Sequence, residues 1–386
     1  MTPDATMIAH ARAFADVAYD EALDLLRTLA CIPAPSHHEE RRAAFVRDWM
    51  SAQGMDGAHI DEAKNVIWAC GDDGACDLVV FAAHTDVVFP DTDELPLHEK
   101  DGRLFAPGVG DDTANLVALL LAARELSRDR TLLPEDLGVL VVANSCEEGL
   151  GNLAGTRQLF AAYGTRIKRF YSFDLYLPEC TSIAVGSHRW EICVRTQGGH
   201  SFHDFGRPNA IERLCSLIRD LYALPLPTEP PTTMNVGTIT GGTGVNAIAS
   251  EARALFEYRS TSDTVLKDLD RQLQAIVSRY REDDVVVELA DVGQRPASTE
   301  GRSEDLERTT QASCAVIRAI TGEEPELSPA STDANIPLSL GIPANTIGAV
   351  RGALLHTREE WIDAESIRDG LAVVMGIMLS QADLDR

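Results

Sequence analysis

Basic residues are scarce in this chain: 34 Lys and Arg stand against 60 Asp and Glu, a formal net charge of −26 over 386 residues. Nucleic acids and anionic membranes are recognised by lysine and arginine gathered on one face, so this deficit excludes both as partners. Also missing is any apolar stretch near the roughly 18 uncharged residues of a spanning helix. The first thirty residues carry Asp4, Asp16, Asp20, Glu21 and Asp24 in place of the basic start and apolar run of a secretory leader, and the expected location is the cytoplasm. The eight cysteines contain no CxxC pair and no His-rich partner spacing, so neither a zinc finger nor a disulfide framework is expected. Cys146 stands next to Glu147, an acidic setting that disfavours the thiolate a nucleophile needs.

What is present is an ordinary globular composition, 45% hydrophobic, at a length that suggests two to three domains. A helix is expected from about Asp4 to Cys31, ended by Pro33 and Pro35, and a second from about His38 to Ala52. Short β-branched runs (Val66 to Ala69, Leu78 to Ala83, Leu137 to Ala143, Phe170 to Phe173) then alternate with helical ones, the pattern of βα units around a buried sheet. From about Ser187 to Arg295 the pattern changes. Trp190, Ile192 and Val194 alternate with Arg189, Glu191 and Arg195 as in a half-buried strand. Helical spacing over 210–221, strands near 233–240 and 252–259, a helix through Leu266 to Val277 and a strand 285–289 complete the order β-α-β-β-α-β, the ferredoxin-like plan. Helix–strand alternation resumes after Thr299 and closes on a helix holding Ile367, Leu371, Val374 and Met378.

Five patches put an acid or a histidine where a metal ligand could sit: HTD at 84–86, GDD at 110–112, CEEG at 146–149, FD at 173–174 and LLHT at 354–357. The first three end or follow β-branched runs and are expected at strand ends, where open α/β sheets place ligands. Three ligating carboxylates, two imidazoles and one acid left over are the inventory of a paired-metal hydrolase. His84 follows a buried strand, and Asp86 is placed to bond the far imidazole nitrogen and fix its tautomer. Asp111 and Asp112 precede the apolar helix Leu116 to Leu126; we assign Asp111 to the metals and Asp112 to the helix cap. Adjacent Glu147 and Glu148 repel unless a cation compensates, so one can bind metal while the other carries protons. Asp174 interrupts Phe170, Tyr171 and Phe173, where an unpaired carboxylate is costly. Gly198 and Gly199 let the backbone beside His200 come close to a ligand.

The set HTDVV, GVGDDTAN, CEEGLG, FD, GGHS at 198–201, GGTGVNAI at 241–248, STDANIPLSLGIP at 331–343 and LLHTREEW resembles the M20 family of metallopeptidases, in its peptidase T-like and acetylornithine deacetylase-like branch, in order over nearly the whole chain. The resemblance implies an α/β, zinc-exopeptidase-like catalytic domain with a central mixed sheet, residues 1–186 and 296–386, and an inserted α+β ferredoxin-like lid and dimerisation domain, 187–295. It further implies two zinc ions, with cobalt or manganese as possible substitutes. His84 and Asp174 resemble the ligands of one, Glu148 and His356 those of the other, and Asp111 the bridge. Asp86 resembles the residue that orients the first histidine, Glu147 the general base, and His200 a lid histidine that reaches a neighbouring subunit's site in a homodimer. Asn246 and Arg259 are similar to lid residues that hold the substrate's carboxylate or carbonyl. Two departures touch no ligand: Thr113 follows the acid pair where many relatives have Lys, and Cys146 replaces an acid.

Charge counting agrees. Two divalent ions balance Asp111, Glu148, Asp174 and a hydroxide, leaving Glu147 as the surplus charge. The expected activity is exopeptidase cleavage of short peptides by metal-activated water. The alternative is hydrolysis of N-acyl amino acids at the same centre. A catalytically inactive metal-binding homologue is a third reading, which the presence of a base at Glu147 disfavours.

Overall fold

The computed structural model describes residues 3–72, 74, 76–134, 136–299 and 301–384. The chain forms two compact units, Met1–Ala184 with Gly301–Arg386, and Val185–Glu300. Among the described residues no helix is long and apolar enough to cross a membrane.

The first unit is built on a seven-stranded mixed sheet in the order His59–Ile60, Val66–Cys70, Gly138–Asn144, Leu78–His84, Ile167–Phe173, Ala344–Ile347, Cys180–Thr181. Its inner strands from Gly138–Asn144 to Ala344–Ile347 run parallel, and the outer pairings are antiparallel. Leu78–His84 and Gly138–Asn144 are buried at every residue, which explains their continuous apolar sequence. The pleat divides them: Val79, Phe81 and Ala83 face one core, with residues of the helices Ala5–Ala30, Asn115–Arg128 and Ser366–Leu379, while Leu78, Val80 and Ala82 face another, with Leu159, Phe160 and Leu306. Each such fully buried Val, Leu or Phe contributes roughly 1.5–3 kcal/mol. Asp4 starts the first helix as its N-cap, accepting from the Thr6 N–H at 2.8 Å.

A small second sheet, in the order Gly352–Ala353, Trp361–Asp363, Arg103–Phe105, His98–Lys100, was not expected. Strands of two or three residues are too short to show a period.

In the second unit the strands Thr232–Gly241, Glu251–Ser260, Gly186–Thr196 and Val285–Arg295 lie in that order, all antiparallel. Buried and half-buried residues alternate at every step of Glu251–Ser260. The inward residues Ile192, Val194, Ala252 and Ala254 pack with Leu214, Leu217 and Leu221 of the helix Ala210–Tyr222 and with Leu266, Leu269 and Leu273 of Asp263–Arg279. Asn209 and Ser262 cap these helices.

Candidate metal centre

Two neighbouring parallel strands end level, His84 opposite Asn144, so Thr85-Asp86 and Ser145–Glu148 leave the sheet along the same edge. Ile167–Phe173, on the other side of Leu78–His84, runs out into Asp174. These patches occupy the carboxyl ends of parallel strands. Gly110-Asp111-Asp112, expected at a strand end as well, lies instead in a kinked turn, Val109–Ala114, that leads into the helix Asn115–Arg128; the Asp111–Asp112 peptide bond is cis. His356 sits in the loop joining the antiparallel pair Gly352–Ala353 and Trp361–Asp363.

These segments converge on Asp111. Its Oδ1 lies 2.9 Å from His84 Nε2 and its Oδ2 3.0 Å from His356 Nε2, while His356 Nε2 is 3.3 Å from Glu148 Oε2. Ligand atoms of His84, Asp111 and Glu148 fall within 4.8 Å of one another, as do those of His84, Asp112 and Asp174. All of these are buried except His356, whose side chain is half exposed. Asp112 belongs to the cluster by distance, but its oxygens are engaged: Oδ2 accepts from the His84 backbone N–H at 2.7 Å and Oδ1 from the Asn115 amide at 2.6 Å. Neither donor is a first-turn backbone N–H, so Asp112 ties the strand end to the helix and does not cap it as expected.

The cluster is electrostatically frustrated in a way a cation relieves. Burial, reinforced by the charge of Asp111, pushes Glu148 up to about 8 and Asp174 well above the usual carboxylate range. Asp111 is held low: burial raises it, but contact with His356 and His84 outweighs that. Contact with Asp111 and Glu148 lifts His356 to about 10. Glu148 Oε1 is buried without a hydrogen-bond partner, an arrangement that is costly for a carboxylate oxygen unless a cation faces it. Ligand atoms about 2.0–2.1 Å from a tetrahedral zinc lie roughly 3.3 Å apart, close to the separations around Asp111. The donor set of imidazole and carboxylate suits zinc, cobalt or manganese, and the residues present fit a pair of such ions.

Asp86 is fully buried beside the far imidazole nitrogen of His84. His84 Nδ1 bonds the Asp86 backbone carbonyl at 2.9 Å and lies 3.5 Å from its Oδ1. The carboxylate spends its oxygens on the N–H groups of Glu147 (3.0 Å) and Glu148 (2.9 Å) and on the Ser36 hydroxyl (2.6 Å), and so fixes the turn that carries both glutamates. Glu147 is buried on the turn that Asp86 holds, and its charge is one of the causes that raise Glu148, Asp174 and Asp333. Burial and Glu39 push the Cys146 thiol up to about 12, leaving no thiolate for nucleophilic attack near neutral pH.

Among the buried ionisable residues that the sequence did not single out, Arg42, Asp333 and Glu360 bear on the centre. Arg42 is fully buried and donates to the carbonyls of Leu29 (3.1 Å), Ile32 (2.6 Å) and Thr85 (2.9 Å), between His84 and Asp86; burial lowers it to about 10, still a cation at neutral pH. Its signal was position, since it shares the buried face of Glu40–Ala52 with Ala43, Val46 and Met50. Asp333, within the STDANIP motif, accepts from Asn144 and Thr156, and burial together with Glu147 raises it to about 7. Glu360 accepts from the N–H groups of Gly108, Gly110 and Asp111, and burial and Asp111 raise it to about 7.

Within the second unit, His200 and Asn246 are brought together. His200 pairs with Ala247 across a short antiparallel ladder, and the Asn246 carbonyl accepts from the Ser201 N–H at 3.0 Å. His200 Nδ1 accepts the N–H groups of Phe202 (3.2 Å) and His203 (3.3 Å), so the neutral ring carries its proton on Nε2. Arg259 stands near the far end of Glu251–Ser260, on the order of 25 Å along the strand at about 3.3 Å per residue, and its guanidinium is paired with Glu257 at 3.0 Å.

Known proteins are similar to this chain in sequence and in fold. Residues 80–380 match the model of Peptidase family M20/M25/M40. A succinyl-diaminopimelate desuccinylase of Nitrosomonas europaea is 28% identical over 293 residues, 71% of this chain and 74% of the relative. The crystal structure of a tripeptidase from Staphylococcus aureus superposes with a TM-score of 0.75 at 20% identity, covering 95% of this chain and 99% of that one. A dinuclear metal binding peptidase of the M20 family from Bacillus subtilis gives a TM-score of 0.66 at 14% identity, over 95% of this chain and 99% of its own. The chain therefore belongs to peptidase family M20/M25/M40 and is a hydrolase of amide bonds.

Proposed function

We propose that this protein is a dinuclear zinc-dependent exopeptidase acting on short peptides, with residues 187–295 as a ferredoxin-like lid through which it forms a homodimer. The observation that carries the reading is the division of one carboxylate between two imidazoles, Asp111 Oδ1 toward His84 and Oδ2 toward His356. In this reading His84 and Asp174 hold one ion, His356 and Glu148 the other, and Asp111 both. Two bound divalent cations would supply Lewis-acid polarisation of the amide carbonyl and a water acidic enough to attack near neutral pH. Glu147 would take a proton from the attacking water and pass it to the leaving nitrogen. Asp86 and Ser36 hold the turn on which Glu147 rides. His200 offers its Nε2–H to the developing oxyanion, the homodimer letting one protomer's lid serve its partner's site, and Asn246 beside it takes a substrate carbonyl or carboxylate; Arg259 is assigned to substrate carboxylate.

A second reading, hydrolysis of an N-acyl amino acid, is favoured by the desuccinylase relatives. Their named substrate carries several carboxylates. Here Arg259, the residue assigned to a substrate carboxylate, is paired with Glu257 at 3.0 Å and would exchange that partner for the substrate. Initial rates on di- and tripeptides beside N-acetyl and N-succinyl amino acids decide between the two. Turnover of peptides is expected; turnover of the acyl compounds alone would overturn the first reading.

A further inference from the structure

We propose that Glu360 is a positioning residue that clasps three ligand-bearing segments of the metal centre into one rigid unit. It deepens the dinuclear reading above and rests on it. Glu360 lies four residues after His356, fully buried. Its Oε2 accepts from the Gly108 N–H at 2.8 Å, and its Oε1 accepts from the N–H groups of Gly110 (3.0 Å) and Asp111 (2.9 Å) and from the Tyr176 hydroxyl (2.8 Å). Tyr176 follows Asp174 by two residues. One carboxylate thus joins the loop of the shared ligand Asp111, the loop of Asp174 and the loop of His356.

The packing shows that the arrangement is specific. A Cβ on Gly110 would stand 2.5 Å from the Tyr176 ring and 2.9 Å from Glu360 Oε1, and one on Gly352 2.6 Å from the same ring. The Cε1 edge of the phenol therefore packs against two glycines where any side chain would clash, and its hydroxyl reaches Glu360. Three N–H donors from one four-residue segment and a hydroxyl aimed at one buried carboxylate form a concave anion site filled from within the chain. With the Asp111 backbone N–H fixed, the side chain that faces both histidines leaves from a defined origin, and outer partners of this kind are what orient metal ligands.

The test compares wild type with Glu360→Gln, Glu360→Ala and Tyr176→Phe. Glutamine keeps the size of the side chain, but whichever way its amide is turned, its NH2 meets an N–H or O–H donor. For each chain, Co2+ stoichiometry and affinity are measured by competition with a chromophoric chelator, together with the Co2+ absorption spectrum, the unfolding midpoint of the metal-depleted chain, and kcat and KM on a dipeptide. The expected result is two ions bound by wild type, and affinity in Glu360→Gln about 10–100-fold weaker with an altered spectrum. Its kcat should fall by a similar factor with KM little changed. Tyr176→Phe should shift both in the same direction by less. If Glu360→Ala fails to fold, the glutamine and phenylalanine variants decide alone. Wild-type affinity, spectrum and kcat in both would overturn the clasp while leaving the metal centre intact. A wild-type chain that binds no Co2+ would overturn the dinuclear reading and the clasp with it.

Discussion

Replacing Asp86 by alanine should cost this protein both stability and turnover, although Asp86 is not one of the proposed ligands. Its carboxylate is fully buried and accepts the Glu147 and Glu148 N–H groups at 3.0 and 2.9 Å and the Ser36 hydroxyl at 2.6 Å. A hydrogen bond to a charged partner is worth about 1.5–3 kcal/mol, and a buried donor left without one retains its desolvation penalty. The two backbone bonds together give about 3–6 kcal/mol, or a fall in unfolding midpoint on the order of 10 °C for a unit of this size. Asparagine keeps one acceptor oxygen and should lose about half of that. The turn freed by the alanine carries the proposed base, and a displacement of about 1 Å near the chemistry can cost on the order of 100-fold in rate. Thermal unfolding by circular dichroism and kcat on a dipeptide measure the two effects. An Asp86→Ala chain with wild-type midpoint and wild-type kcat would refute the reasoning.

Three further outcomes follow from the same geometry. Glu147→Ala should lower kcat by about 10²–10⁴-fold while elemental analysis finds the bound metal nearly unchanged; retained turnover would show that the base lies elsewhere. His200→Ala should lose kcat more than substrate affinity in a protein that light scattering finds dimeric, and a fully active monomer would contradict the lid role. Arg42→Met removes a buried cation from beside Asp86 and Asp112 and should destabilise the fold by about 3–5 kcal/mol in denaturant unfolding; an unchanged midpoint would show that the surrounding carbonyls and acids need no charge there.

The parts of this site that could be read from sequence are those whose chemistry is local. His84, Glu147 and Glu148, and Asp174 each sit at the end of an apolar strand, and the run before them announces both the strand and where it stops. The sheet itself is legible for the same reason: Leu78–His84 and Gly138–Asn144 are buried on both faces and need an unbroken apolar sequence. The rest depends on contacts between segments far apart in the chain. Glu360 bonds the Asp111 N–H across 249 positions and Asp333 bonds Asn144 across 189, and nothing in REEW or STD alone reveals the partner. Asp112 shows the opposite failure. An acid before a helix suggests a cap, yet its carboxylate is taken by the His84 N–H, a donor supplied by the end of a distant strand.

The most direct test of the central claim, that Asp111 is shared between two cations, is elemental analysis of the purified protein and of Asp111→Ala after equilibration with Zn2+ and removal of unbound ion. Two zinc ions per wild-type chain, and a clear loss in the variant, are the expected result. A wild-type chain that retains no divalent metal, or an Asp111→Ala chain that holds two as tightly, would contradict it.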